Sequence, residues 1–415
     1  MTQDIHDVVV IGAGVIGLSV AFYLVEAGLR VVVIDRKGMA LEASYGNAGA
    51  LAFSDILPMA SPGIVRKAFK WLADPLGPLS IPPAYLPSIA PWLIRLWRAS
   101  WNDRYAASVH AQAALMDLAR QESSAMLARA GLDGMVRSDG VLHLYEGLSE
   151  FNASLPGWKL REDHGIASRM VSGSALEELQ PGLSPRFTHA MFVPSWKTVA
   201  DPYELAQGIG HAAMLKGAQF MVAEANRLTS ETEGLGITLT NGDTLHARHV
   251  VLACGAWSRK LARQSGDSIP LETERGYNTT LPANAFDLRR QLTFGGHGFV
   301  VTPLSAGIRV GGAVELGGLT RKPDFRRSEM MLAKAKQFLP ALKTEGGKQW
   351  MGFRPSLPDT LPVIGRSPHT RNLIYAFGHG HLGLTQSAAT GRLVRDMLLD
   401  RPPALSLHPF RPDRF

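Results

Sequence analysis

The sequence predicts an α/β fold in which a parallel sheet, assembled from separated parts of the chain, carries an inserted α+β region with a mostly antiparallel sheet. Three units of strand, glycine turn and helix, at residues 8–17, 249–261 and 372–400, are spread over the whole length. Residues 297–316 instead contain two short β-type runs joined by a turn, a pattern typical of antiparallel strands. We therefore predict two interleaved domains: a discontinuous nucleotide-binding domain of residues 1–60, 200–268 and 345–415, and a substrate domain of residues 61–199 and 269–344.

The first of these units has the features of a Rossmann-like dinucleotide site. Its strand is an apolar, β-branched run, as expected for a strand buried on both faces of a parallel sheet. Gly12, Gly14 and Gly17 have the G-x-G-x-x-G spacing that allows a tight turn, backbone approach to a pyrophosphate and close helix packing. Asp35 ends the second strand 18 residues after Gly17, where a carboxylate hydrogen-bonds a ribose hydroxyl and repels the 2′-phosphate of NADP. The alternative, a glycine turn made only for packing, leaves Asp35 unexplained.

Composition limits the class of protein. The chain has 415 residues, 46% of them hydrophobic, and a mean hydropathy of +0.01, which describes a globular protein with an ample core. A single cysteine excludes an intrachain disulfide and fits a reducing compartment, so we expect a cytoplasmic protein whose start is a strand and not a signal peptide. The net charge of +7 favours an anionic cofactor, an acidic substrate or a membrane surface. Scattered basic residues without a recognition motif argue against nucleic acid.

Residues 57–101 form a segment rich in tryptophan, proline and basic side chains. Prolines exclude an ordinary membrane-spanning helix from its long uncharged stretch. Tryptophans and aliphatic residues flanked by cations are typical of a segment that lies on an anionic membrane surface, here the inner face of the cytoplasmic membrane. The alternative is a lid over the substrate entrance whose tryptophans pack on their own domain. The cations in question are Arg66, Lys67, Lys70, Arg95 and Arg98.

Three stretches together carry a resemblance to a known family. The N-terminal glycine motif, the hairpin that leads into VVLACGAWS (250–258) and the C-terminal GHGHLGLTQSAATG (378–391) resemble the D-amino-acid oxidase and glycine oxidase family of FAD enzymes. Within it, SYGNAGALAF (44–53), WMGFRPSLPDTLPVIG (350–365) and GHGHLGLT are most similar to bacterial D-amino-acid dehydrogenases. The resemblance implies non-covalently bound FAD. A nicotinamide dehydrogenase, the competing reading of the glycine motif, needs no glycine loop and helix near its C-terminus.

The resemblance also implies which residues bind FAD. The loop Gly378–Thr385 is assigned to the isoalloxazine, because its glycines let backbone lie against a ring and the following helix directs its N-terminus at a negatively charged reduced flavin. The alternative is close helix packing by small residues. The full set is Gly12, Gly14, Val15, Ile16, Gly17, Asp35, Arg36, Ser44, Asn47, Ala48, Gly49, Ala50, Ala253, Gly255, Gly378, Gly380, His381, Leu382, Gly383, Leu384 and Thr385.

Arg354, in the segment GFRP, is the candidate for binding a substrate carboxylate. The resemblance implies this role, and a planar guanidinium that stays charged when buried suits it chemically. The alternative is an arginine at the surface or against the flavin. Tyr277 is expected to line the same pocket and touch the same carboxylate, whereas Arg275 beside it is expected to be structural. His379 and His381 either donate hydrogen bonds to flavin or substrate or are structural loop residues.

The function implied by the resemblance is FAD-dependent oxidative deamination of a D-amino acid. Hydride passes from the α-carbon to flavin N5, the imino acid hydrolyses to a 2-oxo acid, and the electrons go to a quinone or another respiratory acceptor. No metal is expected, and Cys254 is interpreted as a packed residue. The alternatives within the class are a cyclic or N-substituted substrate, such as D-proline, 4-hydroxy-D-proline, glycine or sarcosine. An alternative of another class is a flavin-fold protein that binds without catalysis.

Overall fold

The computed structural model describes residues 5–73 and 79–415, apart from the side chains of residues 67, 69–71 and 73, so the predicted roles of Lys67 and Lys70 lie outside the described residues. The described helices are α1 (Val15–Glu26), α2 (Ile64–Ala73), α3 (Leu86–Ala99), α4 (Asn102–Ala130), α5 (Gly147–Asp163), α6 (Gly173–Leu179), α7 (Pro202–Leu215), α8 (Ser258–Gln264), α9 (Arg326–Phe338) and α10 (Gly383–Leu398). The described strands are β1 (His6–Ile11), β2 (Val31–Asp35), β3 (Ala50–Leu51), β4 (Leu79–Ser80), β5 (Val136–Arg137), β6 (Val141–Tyr145), β7 (Arg169–Ser172), β8 (His189–Val193), β9 (Lys197–Val199), β10 (Gln219–Val222), β11 (Ala225–Glu231), β12 (Gly234–Leu239), β13 (Thr244–Leu252), β14 (Glu272–Leu281), β15 (Gln291–Phe294), β16 (Phe299–Leu304), β17 (Gly307–Glu315), β18 (Lys348–Ser356), β19 (Val363–Arg366) and β20 (Leu373–Phe377).

The first sheet has a parallel core in the order β10-β2-β1-β13-β20. Val8 and Val10 of β1 lie in the hydrophobic core that also contains residues of α1, α7 and α10, whereas Val9 and Ile11 lie in the core on the other face. Burial on both faces accounts for the continuous apolar runs in the sequence. The carboxyl ends of β1, β2 and β13 meet at one edge of the sheet, which is where open α/β sheets bind ligands.

Local sequence explains where several of the helices begin and end. Gly28, with φ +83°, follows the end of α1, and Gly131, with φ +69°, ends α4. Asp201 caps α7 by accepting hydrogen bonds from the backbone N–H groups of Tyr203 and Glu204. The sequence predicts that the long helix α4 starts at Val109, but it starts seven residues earlier because the stretch 102–108 contains no glycine or proline to break it.

The second sheet is mostly antiparallel and has the order β18-β14-β17-β16-β15-β6-β8-β7. Strands β16 and β17 pair antiparallel, as the sequence predicts, while β6 with β15 and β4 with β17 are parallel pairs. Strand β18 lies within the segment 345–415 that was expected to belong to the nucleotide-binding domain, yet it pairs with β14 in this second sheet. The division into domains stays a proposal, and this pairing favours placing β18 with the substrate domain.

Candidate active site

A cavity of about 1650 Å³ is lined by residues of both sheets. It extends from Gly14 and Asp35, at the carboxyl edge of the parallel sheet, past His381 to Arg354 and then to helices α2 and α3. Cavities that hold one small ligand usually have 300–1,000 Å³. This cavity therefore has space for a dinucleotide together with a substrate.

The three glycines of the first turn have different tasks. A Cβ atom on Gly12, which has φ +109°, would lie 2.4 Å from the carbonyl oxygen of Ala253, and one on Gly17 would lie 1.9 Å from the carbonyl oxygen of Gly12. These two glycines are required by packing of the protein on itself. A Cβ atom on Gly14 would meet only the hydroxyl of Ser44, at 3.5 Å, so the Gly14 side of the turn is open to the cavity. An open side of this kind is what the backbone needs in order to approach a pyrophosphate.

Asp35 links the end of β2 to the glycine turn. Its Oδ2 accepts a hydrogen bond of 2.9 Å from the Ala13 N–H, and its Oδ1 accepts bonds from the N–H groups of Lys37 and Gly38 at 2.9 and 3.2 Å. A carboxylate offers about four lone-pair sites, so acceptor capacity remains for a ribose hydroxyl. Asp35 thus shapes the site as well as bordering it.

Most of the residues predicted to bind the cofactor line the cavity. Arg36 lies 4.0 Å above the ring of Trp257 and donates a hydrogen bond of 2.6 Å to Glu42, forming a wall near Gly255. The predicted residues along the cavity are Gly12, Gly14, Val15, Ile16, Asp35, Arg36, Ser44, Asn47, Ala48, Ala50, Ala253, Gly255, Gly380, His381, Leu382, Gly383 and Leu384. The predicted residues that do not line it are Gly17, Gly49, Gly378 and Thr385.

The C-terminal loop is held from both sides. The N–H of Gly380 donates a hydrogen bond of 2.7 Å to the carbonyl of Pro355, which ties the loop to the end of β18. The hydroxyl of Thr385 accepts from the Ala52 N–H at 3.0 Å and donates to the Ala50 carbonyl at 3.2 Å. No described side chain caps the N-terminus of α10, which borders the cavity. Its free N–H groups are suited to a partial negative charge on a bound ring.

The two loop histidines have different environments. His379 is 3% exposed, its Nε2 lies 2.9 Å from Oγ1 of Thr390, and burial lowers its pKa to about 3. It is therefore neutral near pH 7. His381 is more exposed, and its Nε2 lies 3.1 Å from Oδ2 of Asp55.

A polar cluster that no sequence motif indicates lies at this part of the cavity. It consists of Asp55, Arg161 and His143, which the structure brings together with His381. The Nη2 atom of Arg161 lies 3.8 Å from Oδ1 of Asp55. The Nε–H group of Arg161 donates a hydrogen bond of 3.0 Å to the carbonyl of Ser54. Burial, with help from the charge of Arg161, lowers the pKa of His143 to about 3. The sequence marks Asp55 only by its position two residues after the small-residue stretch 41–53. Arg161 and His143 lie in segments without a motif.

Arg354 extends from β18 into the cavity, and its guanidinium lies over Gly276 of β14, where a Cβ atom would be 2.7 Å from its Cζ. The guanidinium forms no hydrogen bond or ion pair with any residue that the structure describes. Burial lowers the pKa of Arg354, and the negative charge of Glu274 acts in the opposite direction. A desolvated cation without a partner costs free energy, which a bound carboxylate offsets through two charge-assisted hydrogen bonds.

Tyr277 borders the same cavity, but its hydroxyl is engaged in a buried network. It donates a hydrogen bond of 2.6 Å to Glu315 and accepts one of 3.1 Å from the Asp324 N–H. Arg275, fully buried, forms an ion pair of 2.9 Å with the same Glu315. The structure thus places Arg275 in a structural ion pair, and it gives the Tyr277 hydroxyl partners other than a substrate. The contact of Tyr277 with a substrate carboxylate stays a prediction that this geometry does not favour.

The thiol of Cys254 is held inside the protein and is not reactive. The thiol of Cys254 donates to the Ile11 carbonyl at 3.1 Å, and burial raises its pKa, so it remains protonated. Among residues 5–73 and 79–415, no three histidine, cysteine or acidic side chains come together as a metal site.

Helices α2 and α3 line the outer part of the cavity. Trp92 is 7% exposed and packs with Ile89 and Leu316, whereas Trp97 is 50% exposed. Of the predicted cations, Arg66 and Arg95 are exposed, and Arg98 forms two hydrogen bonds with Asp103. In the part of the chain that the structure describes, no helix is both long and apolar enough to cross a membrane.

Comparison with known proteins extends over almost the whole chain. A family model described as DAO, FAD dependent oxidoreductase, matches residues 7–397. The chain is 35% identical over 423 residues to a D-amino-acid oxidase of Bradyrhizobium diazoefficiens, with 99% of each protein covered. It is 32% identical over 411 residues to a D-amino acid dehydrogenase of Xylella fastidiosa, with 96% of this chain and 93% of that protein covered.

Solved structures show the same fold. A glycine oxidase from Geobacillus kaustophilus has a TM-score of 0.77 at 24% sequence identity, with 99% of each chain covered. An L-proline dehydrogenase from P. horikoshii also has a TM-score of 0.77, at 17% identity, covering 100% of this chain and 98% of that one.

Proposed function

Because this chain belongs to the DAO family of FAD-dependent oxidoreductases, whose model spans residues 7–397, we propose that it oxidises the carbon–nitrogen bond at the α-carbon of a D-amino acid. The observation that carries the proposal is the environment of Arg354. The guanidinium of this arginine faces the cavity without a hydrogen-bond partner among the described residues. The hydrogen bond from Gly380 to Pro355, the residue after Arg354, ties the loop Gly378–Thr385 to β18. A site that holds a carboxylate next to a two-electron acceptor is what amino-acid oxidation requires.

The residues of the cavity fit FAD. The open side of Gly14 accommodates a pyrophosphate, Asp35 has acceptor capacity for a ribose, and the uncapped start of α10 faces the ring. When bound, FAD supplies the acceptor to which the α-hydrogen leaves as hydride, after the substrate ammonium has released a proton to water so that the nitrogen lone pair can form the C=N bond. The protein itself has to hold the substrate in a reactive orientation and exclude competing geometries.

Arg354 sets that orientation. Two parallel hydrogen bonds from a guanidinium fix both the position and the plane of a carboxylate, so one end of the substrate is held in place next to the ring. His379 is neutral over the physiological range, and its bond to Thr390 makes it a positioning residue instead of a proton acceptor. The imino acid product hydrolyses in water after release and needs no catalytic group of the chain.

A substrate panel with an artificial electron acceptor tests this proposal. D-alanine and other acyclic D-amino acids should be consumed, and their L-enantiomers should not. Preferred consumption of D-proline, 4-hydroxy-D-proline, glycine or sarcosine would replace the proposed substrate class by a cyclic or N-substituted amine. No consumption of any of these by FAD-loaded protein would favour a binding protein without catalysis.

We further propose that the electrons pass to a quinone at the inner face of the cytoplasmic membrane. The support is the outer part of the cavity, where Val65, Leu72 and Trp97 line the opening and are each at least 42% exposed. Exposed Arg66 and Arg95 add positive charge for anionic lipid. The alternative is a lid with molecular oxygen as the acceptor, which Trp92, packed inward, supports. Hydrogen peroxide formed in air at the rate of substrate consumption would favour the alternative.

A further inference from the structure

Glu274 and Arg354 are direct neighbours across two antiparallel strands. They are paired in the register of β14 with β18, so both side chains leave the same face of the sheet. That face borders the cavity, and Glu274 is only 3% exposed. A buried negative charge therefore lies beside the cation that we propose to bind the substrate carboxylate.

The two charges do not neutralise each other by contact. Neither side chain forms a hydrogen bond or ion pair with any described residue, and the guanidinium of Arg354 lies over Gly276, one same-face position away from Glu274 along β14. Glu272 lies on the same face of β14, on the other side of Glu274, but its carboxylate has hydrogen-bond partners. Its carboxylate accepts a bond of 3.0 Å from the Tyr85 hydroxyl and one of 2.8 Å from the Thr273 N–H.

An unpartnered anion and an unpartnered cation in one cavity wall are complementary to a ligand that carries both charges. Buried charges without partners are costly, and a ligand that satisfies both at once offsets both costs. A free α-amino acid is such a ligand, because its ammonium and carboxylate are attached to the same carbon.

We propose that Glu274 binds the ammonium group of the substrate while Arg354 binds its carboxylate, so that the site selects a zwitterionic α-amino acid. This inference rests on the proposed function and adds a specificity-determining residue to it. A simple carboxylate is rejected because it leaves Glu274 buried and unpaired, and a dianion is rejected because it meets Glu274 with a like charge.

The test compares two ligands that differ only at the group that Glu274 contacts. The first is the D-amino acid oxidised fastest in the panel, and the second is the carboxylate in which a methyl group replaces its ammonium; for D-alanine this is 2-methylpropanoate. Binding is measured by calorimetry on fully reduced holoenzyme without oxygen, so that no turnover occurs. The wild type should bind the amino acid about tenfold or more tightly than the carboxylate, as expected for a buried charge pair.

The variants should separate the two ligands. Glu274→Gln should weaken binding of the amino acid about tenfold or more and leave binding of the carboxylate equal or tighter, since the repulsion is removed. Glu274→Asp, which sets the charge back by one methylene, should recover part of the amino-acid affinity. Glu272→Gln is the matched control on the same face and should change the ratio of the two affinities much less.

Three results would overturn the inference while leaving the proposed function intact. These are equal binding of the two ligands by the wild type, equal weakening of both by Glu274→Gln, and an equal effect of Glu272→Gln. The first result is measured on the wild type, so it counts even if a substitution prevents folding. FAD content and melting temperature show whether each variant is folded. If the wild type binds neither ligand and oxidises no amino acid of the panel, the proposed function fails together with the inference.

Discussion

The arginines of this cavity differ in whether the protein already provides hydrogen-bond partners for their guanidinium groups. Arg309 donates to the Thr280 hydroxyl and to the carbonyl of Asn47, and Arg161 donates to Ser54. Arg354 has no such partner among the described residues, although burial lowers its pKa. A motif can show that an arginine is present, but only the surroundings separate an arginine that holds the fold from one that is free for a ligand.

Arg354→Ala should leave FAD bound and raise the KM for the substrate, because about 2–5 kcal/mol of charge-paired binding is lost. Arg354→Lys should recover only part, since an ammonium cannot form the paired hydrogen bonds of a guanidinium. Steady-state kinetics with FAD-saturated protein measures both effects, and Arg227→Ala, an exposed arginine on β11, is the control. A normal KM in the alanine variant would show that Arg354 is structural.

Asp35→Ala should weaken FAD binding by about 1–3 kcal/mol, because a half-buried hydrogen-bond acceptor is removed. Part of this loss comes from the bonds that Asp35 accepts from Ala13, Lys37 and Gly38, which hold the turn in shape. Titration of apoprotein with FAD gives the dissociation constant. Asp7→Ala is the matched control, since Asp7 accepts a backbone hydrogen bond from Arg30 at the other end of β1. Unchanged affinity in the Asp35 variant would remove this residue from the site.

At the scale of elements, the sequence predicts the parts of the fold that local pattern determines. The three strand-glycine-helix units are found at β1–α1, β13–α8 and β20–α10, and the fold class and the FAD cofactor are confirmed by the family match and the similar structures. Local sequence patterns do not predict contacts between segments that are distant in the chain. His381 and Asp55 are 326 positions apart, and the hydroxyl of Tyr277 is taken by Glu315, a residue without a motif.

Helices α2 and α3 should bind the protein to anionic liposomes at low salt. Each exposed arginine near an anionic surface contributes about 1 kcal/mol, so Arg66→Gln with Arg95→Gln should lower the bound fraction in a sedimentation assay. Neutralising Lys67 and Lys70 as well should lower it further. Arg227→Gln with Arg371→Gln removes two exposed charges elsewhere and should have no effect. If wild-type protein is not retained at low salt, the two helices act as a lid.

At the scale of the whole molecule, the active site depends on both sheets being held in one arrangement. The hydrogen bond from Gly380 to Pro355 joins the loop Gly378–Thr385, which follows a strand of the first sheet, to the strand of the second sheet that carries Arg354. Thr385 joins α10 to the segment around Ala50 and Ala52. We therefore expect binding of FAD and binding of substrate to be lost together when the protein unfolds.

The melting temperature should fall as the pH is lowered from about 6.5, because two histidines whose rings are desolvated in the folded protein bind protons only in the unfolded chain. Burial lowers the pKa of both His143 and His379 to about 3, while both titrate near 6.5 when unfolded. The unfolded state thus binds more protons between these values, so stability rises with pH, by up to about 1.4 kcal/mol per pH unit for each histidine. His143→Gln with His379→Gln should flatten this dependence between pH 6.5 and 5. An unchanged slope would contradict burial of the neutral rings.

The most direct measurement is the visible absorbance of the purified, FAD-containing protein when amino acids are added without oxygen. A D-amino acid should bleach the yellow colour at micromolar to millimolar concentrations, as reduction of the flavin requires. The L-enantiomer should leave the colour unchanged, and Arg354→Ala should need a much higher concentration of the D-amino acid. Bleaching by the L-enantiomer alone, or no bleaching by any amino acid, would contradict the assignment of this chain as an oxidoreductase of D-amino acids.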